Sequence, residues 1–365
     1  GVPQSGNLPK VLPNGYDALG NVIQSGDIIG PASKLSNQRK YMREVIRTIR
    51  ADNASSRNKK RLGAISRATP VVQEPLSAGA YPIRSWNTYV ETPLDSNSNS
   101  YTPQCRPTVL YTGTHDGLIH AFRVDNLSAT KSSCSTVVPT QDENDLGKEL
   151  WAVIPNGLLR GSHALVDRFH FLMDGELNLN DVLLVRTDPT TAVTAKEAKQ
   201  WRTVLSGGYG KGGQGYFAFD VTNALDGPEV LWEIDPDRRC TPSGCFDGAL
   251  DPSSDFSKLG LTTPRPSYGT VFINDEEVAV AVLPGGDSLD DTADENVGRV
   301  VYVVRLDNGK KLAEFSTELN NVEDMSGAAI KLPSAMTGTA SVFSDVPGVV
   351  STRAFMGDAG GRLWR

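Results

Sequence analysis

The chain has 365 residues, 39% of them apolar and 22% charged, with a formal net charge of −7, 35 glycines and 22 prolines. That length holds one large domain plus an appendage, and the glycine and proline content suits a turn-rich all-β structure. No run of about 18 apolar residues occurs, so nothing reads as a transmembrane helix, and the opening GVPQSGN has no secretory-signal pattern.

Residues 1–31 are rich in Gly, Pro and Asn without sustained periodicity and read as an extended connector. Residues 32–60 change character. Met42, Val45, Ile46 and Ile49 fall at i, i+3, i+4 and i+7, one apolar helical face, among Lys34, Arg39, Lys40, Arg43, Arg47 and Arg50. Between Lys34 and Arg61 the local charge is +8 against −15 elsewhere. Such a helix suits a nucleic-acid arm or a membrane surface. Only Tyr41 is there to stack on a base, and the rest of the chain is acidic, so the preferred reading is a surface helix docked on that body, with no nucleic acid.

Residues 61–365 read as strands. ETPLDSNSNSYTPQC is expected to be a surface loop, and VLYTGTHDGLIHAFRVDN (109–126) a hairpin followed by the strand ELWAVIP (149–155). Residues 156–175 read as a short helical or irregular link. DVLLVRTD and TVLSGGYG then read as two strands of one sheet. Gly208, Gly210 and Gly213 spell GxGxxG, the dinucleotide fingerprint. That motif needs a helix after it to hold a pyrophosphate, whereas GYFAFDVT follows, which is a strand; the glycines read as a turn. Residues 235–260 are expected to be a long acidic loop.

The hairpin phrase recurs at 201–235, 280–315 and 353–365: a strand ending in Gly, a Gly- or Asp-bearing turn, then an aromatic or β-branched strand. In the first three copies a further strand carries Trp or Phe. Hairpin units that recur at intervals of tens of residues bury their faces by stacking on one another. The expected fold is all-β, a β-propeller of seven blades, modified or incomplete, with a β-sandwich as the alternative. By the repeat, the sequence stops in mid-blade, which suggests a portion of a longer protein.

Four cysteines, with Cys240 and Cys245 flanking TPSG and Cys105 and Cys134 bracketing the first hairpin, read as two disulfides and an oxidising compartment. The alternative is four free thiols in a cytosolic scaffold; the spacing does not suit zinc. His115 and His120, taken as neighbours on one strand, are expected on opposite faces, and with His163 and His170 they read as core or surface residues. Trp151, Trp201, Trp232 and Trp364 are expected at comparable blade positions, packing between blades with each indole N–H paired.

RLGAISRATPVV, VLYTGTHDGLIHAF, ELWAVIP, WRTVLSGGYGKGGQGYFAFDVT, VLWEID, PRPSYGTV and MGDAGGRLWR occur in the order found in PilY-type proteins, and residues 40–365 resemble that family. The resemblance implies a C-terminal propeller of a secreted, non-enzymatic type IV pilus tip adhesin and biogenesis factor. It implies minor pilins as partners, a surface ligand, and roles in pilus assembly, attachment and twitching motility. Many family members carry a DxDxDGxxD calcium loop. Here the matching segment, Ser344 to Thr352, keeps only Asp345 and cannot supply enough oxygens. Asp287, Asp290, Asp291 and Asp294, with Glu295, form an acidic cluster that either splays or takes up a cation such as calcium. With no Gly at the sixth position, a solvated loop tip is the preferred reading and a substitute calcium site the alternative. A quinoprotein-like periplasmic dehydrogenase is the alternative function, although no adjacent cysteine pair is present.

Overall fold

The computed structural model describes residues 62–81, 83–94, 101–124, 134, 146–159, 162, 171–186, 195–288, 296–316, 332–345 and 350–365. The connector at 1–31 and the basic segment at 32–60 lie outside them. Among the described residues the strands form four sheets, antiparallel throughout, taken up in chain order.

The first sheet runs β1 (Val71–Gln73), β2 (Val109–Gly113), β3 (Ile119–Arg123) and β4 (Glu149–Val153) in spatial sequence. The second begins with β5 (Leu177–Leu183), then β7 (Trp201–Gly208), β8 (Tyr216–Asp220) and β9 (Glu229–Asp235). It is extended outward by β10 (Arg238–Thr241) and β11 (Gly244–Asp247). β6 (Val185–Arg186) leaves it to pair with β13 (Glu276–Pro284) of the third sheet. That sheet is completed by β12 (Ser267–Ile273), β14 (Val300–Arg305) and β15 (Lys311–Ser316). The fourth contains β16 (Ser341–Phe343), β17 (Arg353–Gly357) and β18 (Leu363–Trp364). Among the described residues there are also three short α-helices, α1 (Arg84–Glu91), α2 (Asn156–Leu159) and α3 (Ala195–Ala198).

Strand periodicity explains how the sheets stack. Successive side chains point to opposite faces, and in β8 Tyr216 and Ala218 enter one core cluster while Phe217 and Phe219 enter another. The first cluster joins the second sheet to the third, through Ala279, Ala281, Leu283, Val300 and Tyr302. The other joins the first sheet to the second, through Val109, Tyr111, Ile119 and Ala121. In β14, Val300, Tyr302 and Val304 face back while Val301 and Val303 face on to Met336 and Met356 of the next cluster. Central sheets are therefore buried on both faces, which is why runs such as AVAVLP and VVYVV are apolar without alternation. This is the stacked order of a β-propeller, not the two facing sheets of a sandwich.

The recurring turn is the same object in distant copies. Gly113 pairs with Ile119 as Gly357 pairs with Leu363. Thr114 N donates to Leu118 O at 2.9 Å, and Asp358 N to Arg362 O at 3.0 Å. Gly117 and Gly361 hold φ of +86° and +80°, where a side chain would be strained. The GxGxxG segment is also a turn, crossing from β7 to β8. Thr262 fills it: its Oγ1 accepts Tyr209 N at 3.0 Å and donates to Gly215 O at 2.6 Å. A Cβ on Gly208 would stand 2.1 Å from Thr262 O. The glycines serve close packing, and no helix follows them.

Three expectations need correction. Residues 91–105 are not simply a surface loop: Tyr101 and Cys105 are buried, and Cys105 is bonded to Cys134. Residues 235–260 hold the β10–β11 hairpin, because Arg238–Thr241 and Gly244–Asp247 continue the sheet beyond β9. The tryptophans do not occupy one blade position. Trp151 and Trp232 lie on fourth strands, but Trp201 opens a second strand and Trp364 sits on β18, a third. Their indole N–H groups are all paired: Trp151 with Ala224 O, Trp201 with Ser85 Oγ, Trp232 with Leu306 O and Trp364 with Asp358 Oδ2. The bonds from Trp151 and Trp232 each reach into the next sheet.

Candidate functional site

The β10–β11 hairpin is the projecting feature of the second sheet. Cys240 and Cys245 stand directly opposite each other, 3.9 Å apart at Cα, and are disulfide-bonded across a two-residue Pro242–Ser243 turn. All four residues of β11 are exposed, and Leu250 just beyond them is 86% exposed. The base is braced. Buried Arg239 donates from Nε to Ser254 Oγ (3.2 Å) and from a terminal nitrogen to Asn308 O (2.8 Å), and its guanidinium lies 4.4 Å from the Phe246 ring. Burial pulls its pKa down, opposed by the Asp251 carboxylate. Phe256 and Leu259 anchor the return in the core. This is a hairpin with an exposed edge and tip on a fixed scaffold.

Of the proposed calcium ligands, Asp287 is exposed and its backbone pairs with Leu261. Asp290, Asp291, Asp294 and Glu295 lie outside the described residues, among which no group of three or more His, Cys, Asp or Glu is placed to hold a metal. In the Ser344–Thr352 segment Asp345 is engaged by Arg353. His115 is not on a strand but in the β2–β3 turn, with Ser66 Oγ 2.7 Å from its Nε2. His120 on β3 meets Glu149 Oε1 through Nδ1 at 2.5 Å. Both are buried, while His163 and His170 lie outside the described residues.

Sequence reasoning missed two features. α1 packs Trp86 edge-on to Trp201, with centroids 4.9 Å apart, and Tyr89 stacks on the same indole at 6.0 Å. The spacing of Trp86, Tyr89 and Val90 at i, i+3 and i+4 was the available signal. The other is a buried ion pair between sheets: Arg106 grips Asp181 with bonds of 2.9 and 3.1 Å and also reaches Thr203 Oγ1 and Glu74 O. No local pattern announces a contact across 75 residues.

Between the first two sheets, near the β7–β8 turn, Glu233 is 6% exposed and accepts from Asn156 Nδ2 (3.4 Å) and Gly157 N (3.3 Å). Burial raises its pKa, opposed by the backbone N–H groups of Asn156 and Gly157 and by the charge of Arg238.

Comparison with known proteins places the chain. The family model described as the PilY1 β-propeller domain matches residues 77–365. A type IV pilus biogenesis factor PilY1 homolog from Xylella fastidiosa is 29% identical over 134 residues, covering 35% of this chain and 7% of that protein. PilY1 of Pseudomonas aeruginosa is 24% identical over 288 residues, covering 76% of this chain and 19% of that protein. The chain thus spans about a fifth or less of these curated relatives. Among solved structures, the P. aeruginosa PilY1 C-terminal domain aligns with a TM-score of 0.42 and 22% identity over 72% of this chain and 38% of that one. A quinohemoprotein alcohol dehydrogenase of Pseudomonas putida aligns with a TM-score of 0.30 and 12% identity over 70% of this chain and 31% of that one. With the family model covering most of its length, this chain belongs to the PilY1 β-propeller domain family.

Proposed function

We propose that this protein is a non-enzymatic extracellular component of the type IV pilus tip. It supports pilus assembly, surface attachment and twitching motility and works with minor pilins. The observation that carries this reading is the family match over 77–365, which includes the braced hairpin. Two disulfides suit an oxidising, extracytoplasmic setting. The rigid β10–β11 hairpin, with Phe246 and Leu250 exposed near it, is the surface assigned to a partner or substratum.

Deleting all of 235–260 would remove Phe256 and Leu259 from the core, and Phe246 packs on the buried Arg239 guanidinium, so the informative variant is Leu250→Lys, at a side chain 86% exposed. In cells it is expected to leave secretion and protein level unchanged while reducing attachment and twitching. Wild-type attachment and motility would remove the hairpin from the account, and pilus function untouched by deletion of the whole gene would remove the pilus role. A redox-dye assay with added quinone and calcium tests the non-enzymatic part, and turnover above background would overturn it.

A further inference from the structure

A cavity of about 310 Å³ opens beside the β7–β8 turn, where the first and second sheets meet. Its walls are Tyr209 and the glycines of the turn, Gly157 with Leu158 at α2, and the exit of β9 at Asp235–Asp237. Tyr209 is 3% exposed, yet its hydroxyl makes no hydrogen bond among the described residues. Buried phenols almost always find a partner, so this one is an orphan in need of explanation. The hydroxyl lies at the wall shared with Gly157, where an added Cβ would stand 2.3 Å from it.

Charge narrows the choice of ligand. Glu233 sits behind the Gly157 wall, and Asp235 and Asp237 stand at the β9 exit. Asp235 is paired with Arg238 at 2.9 Å, and the charge of Arg238 also acts on Glu233, so the negative charge of Glu233, Asp235 and Asp237 is only partly offset. Leu158, Leu172 and Pro236 supply an apolar sleeve. An apolar sleeve ending in oxygen acceptors under excess negative charge suits a long aliphatic cation. A guanidinium would want a free carboxylate edge for two parallel bonds. Glu233 has both oxygens engaged by Asn156 and Gly157, and Asp235 has its own engaged by Asp237 N and Arg238. On Glu233 and Asp235 only single lone pairs remain, which match a compact ammonium, and the carboxylate of Asp237 stands at the exposed rim.

We infer that this cavity receives the side chain of a lysine presented by a partner polypeptide, its ammonium donating to Tyr209 Oη under the field of Glu233, Asp235 and Asp237. This assignment does not depend on the pilus reading; a pilus-independent partner would be bound in the same way.

The test titrates the full chain with Nα-acetyl-lysine methylamide and, separately, with its norleucine and arginine counterparts, following amide NMR shifts of Gly212, Gly213 and Gly215. The lysine probe is expected to saturate and the norleucine probe to produce no saturable shift. Tyr209→Phe, which keeps the ring, should weaken lysine binding roughly tenfold, the effect of one hydrogen bond to a charged group. Asp237→Asn, on an exposed residue, should weaken it about two- to threefold. Equal binding of norleucine, tighter binding of arginine, unchanged affinity in Tyr209→Phe, or no saturable lysine binding would each overturn the assignment.

Discussion

The Arg106–Asp181 pair ties the first sheet to the second, and its removal has a calculable order of cost. Arg106 and Asp181 side chains are 3% and 14% exposed, and four of the five guanidinium N–H groups are used: two on Asp181, one on Thr203 Oγ1, one on Glu74 O. Asp181→Asn leaves the cation buried without its counter-charge, a loss of about 3–5 kcal/mol. Arg106→Met with Asp181→Leu removes both charges, and the main residue of cost is the stranded Thr203 hydroxyl, about 1–3 kcal/mol. Adding Thr203→Val should bring the protein back to within about 1 kcal/mol of wild type, since apolar groups of similar volume replace a desolvated pair at little expense. Urea unfolding of the full chain at matched m-values measures the series. A cost under about 1 kcal/mol for Asp181→Asn, or a double variant equal to the sum of its singles, would show that the pair is not the buried, coupled contact described here.

The remaining predictions concern pH and the disulfides. Burial raises the Glu314 carboxyl, but hydrogen bonds and charge from Lys258 and Lys311 outweigh it and hold the group below its ordinary range. Its stabilisation is therefore complete above the unfolded value of about 4.3 and is lost as pH falls through the lower folded value, so Glu314→Gln should flatten the acid limb of a stability–pH curve. Glu233 has the opposite sign: burial holds it high, so its ionisation costs stability as pH rises from about 4.3 through the folded value, and Glu233→Gln should gain on wild type over that rise. Unchanged limbs in either variant would contradict the assignment. Replacing both cysteines of a bridge by serine should cost roughly 2 kcal/mol for Cys240–Cys245 and roughly 3.6 kcal/mol for Cys105–Cys134, following ring sizes set by separations of 5 and 29 residues, again read by urea unfolding. A reversed order would show that packing around the bridges, not ring closure, dominates.

What the sequence disclosed was whatever repeats or alternates locally. The Gly-turn-strand phrase at 109–126 and 353–365 becomes one and the same turn, and the strand after Gly213 settles the GxGxxG question without a structure. Cysteine spacing gave both disulfides, because short separations and hairpin flanks constrain the partners. What stayed hidden depends on contacts between distant segments. Nothing beside Arg239 in the sequence shows its burial, because Ser254 and Asn308 meet it only in the fold. Residues 235–260 look like a loop because the β10 and β11 strands are four residues each, polar and without alternation. α1 escaped because eight residues hold too few turns for a helical period to stand out. Tyr209 gave no sign of its orphan hydroxyl, since partnership is a property of the fold and not of the residue.

The account rests on sheets wedged side by side, each latched to the next, and hydrogen exchange at the indole N–H groups tests this most directly. Trp232 is wholly buried and donates to Leu306 O at 2.9 Å in the following sheet; Trp151 is partly exposed and donates to Ala224 O at 2.8 Å. In deuterated buffer the Trp232 indole proton should exchange only through global unfolding, its protection falling in step with the urea stability of the whole chain, with Trp151 next in protection. A Trp232 indole that exchanges within minutes in native buffer, independent of global stability, would mean that the second and third sheets do not close on one another.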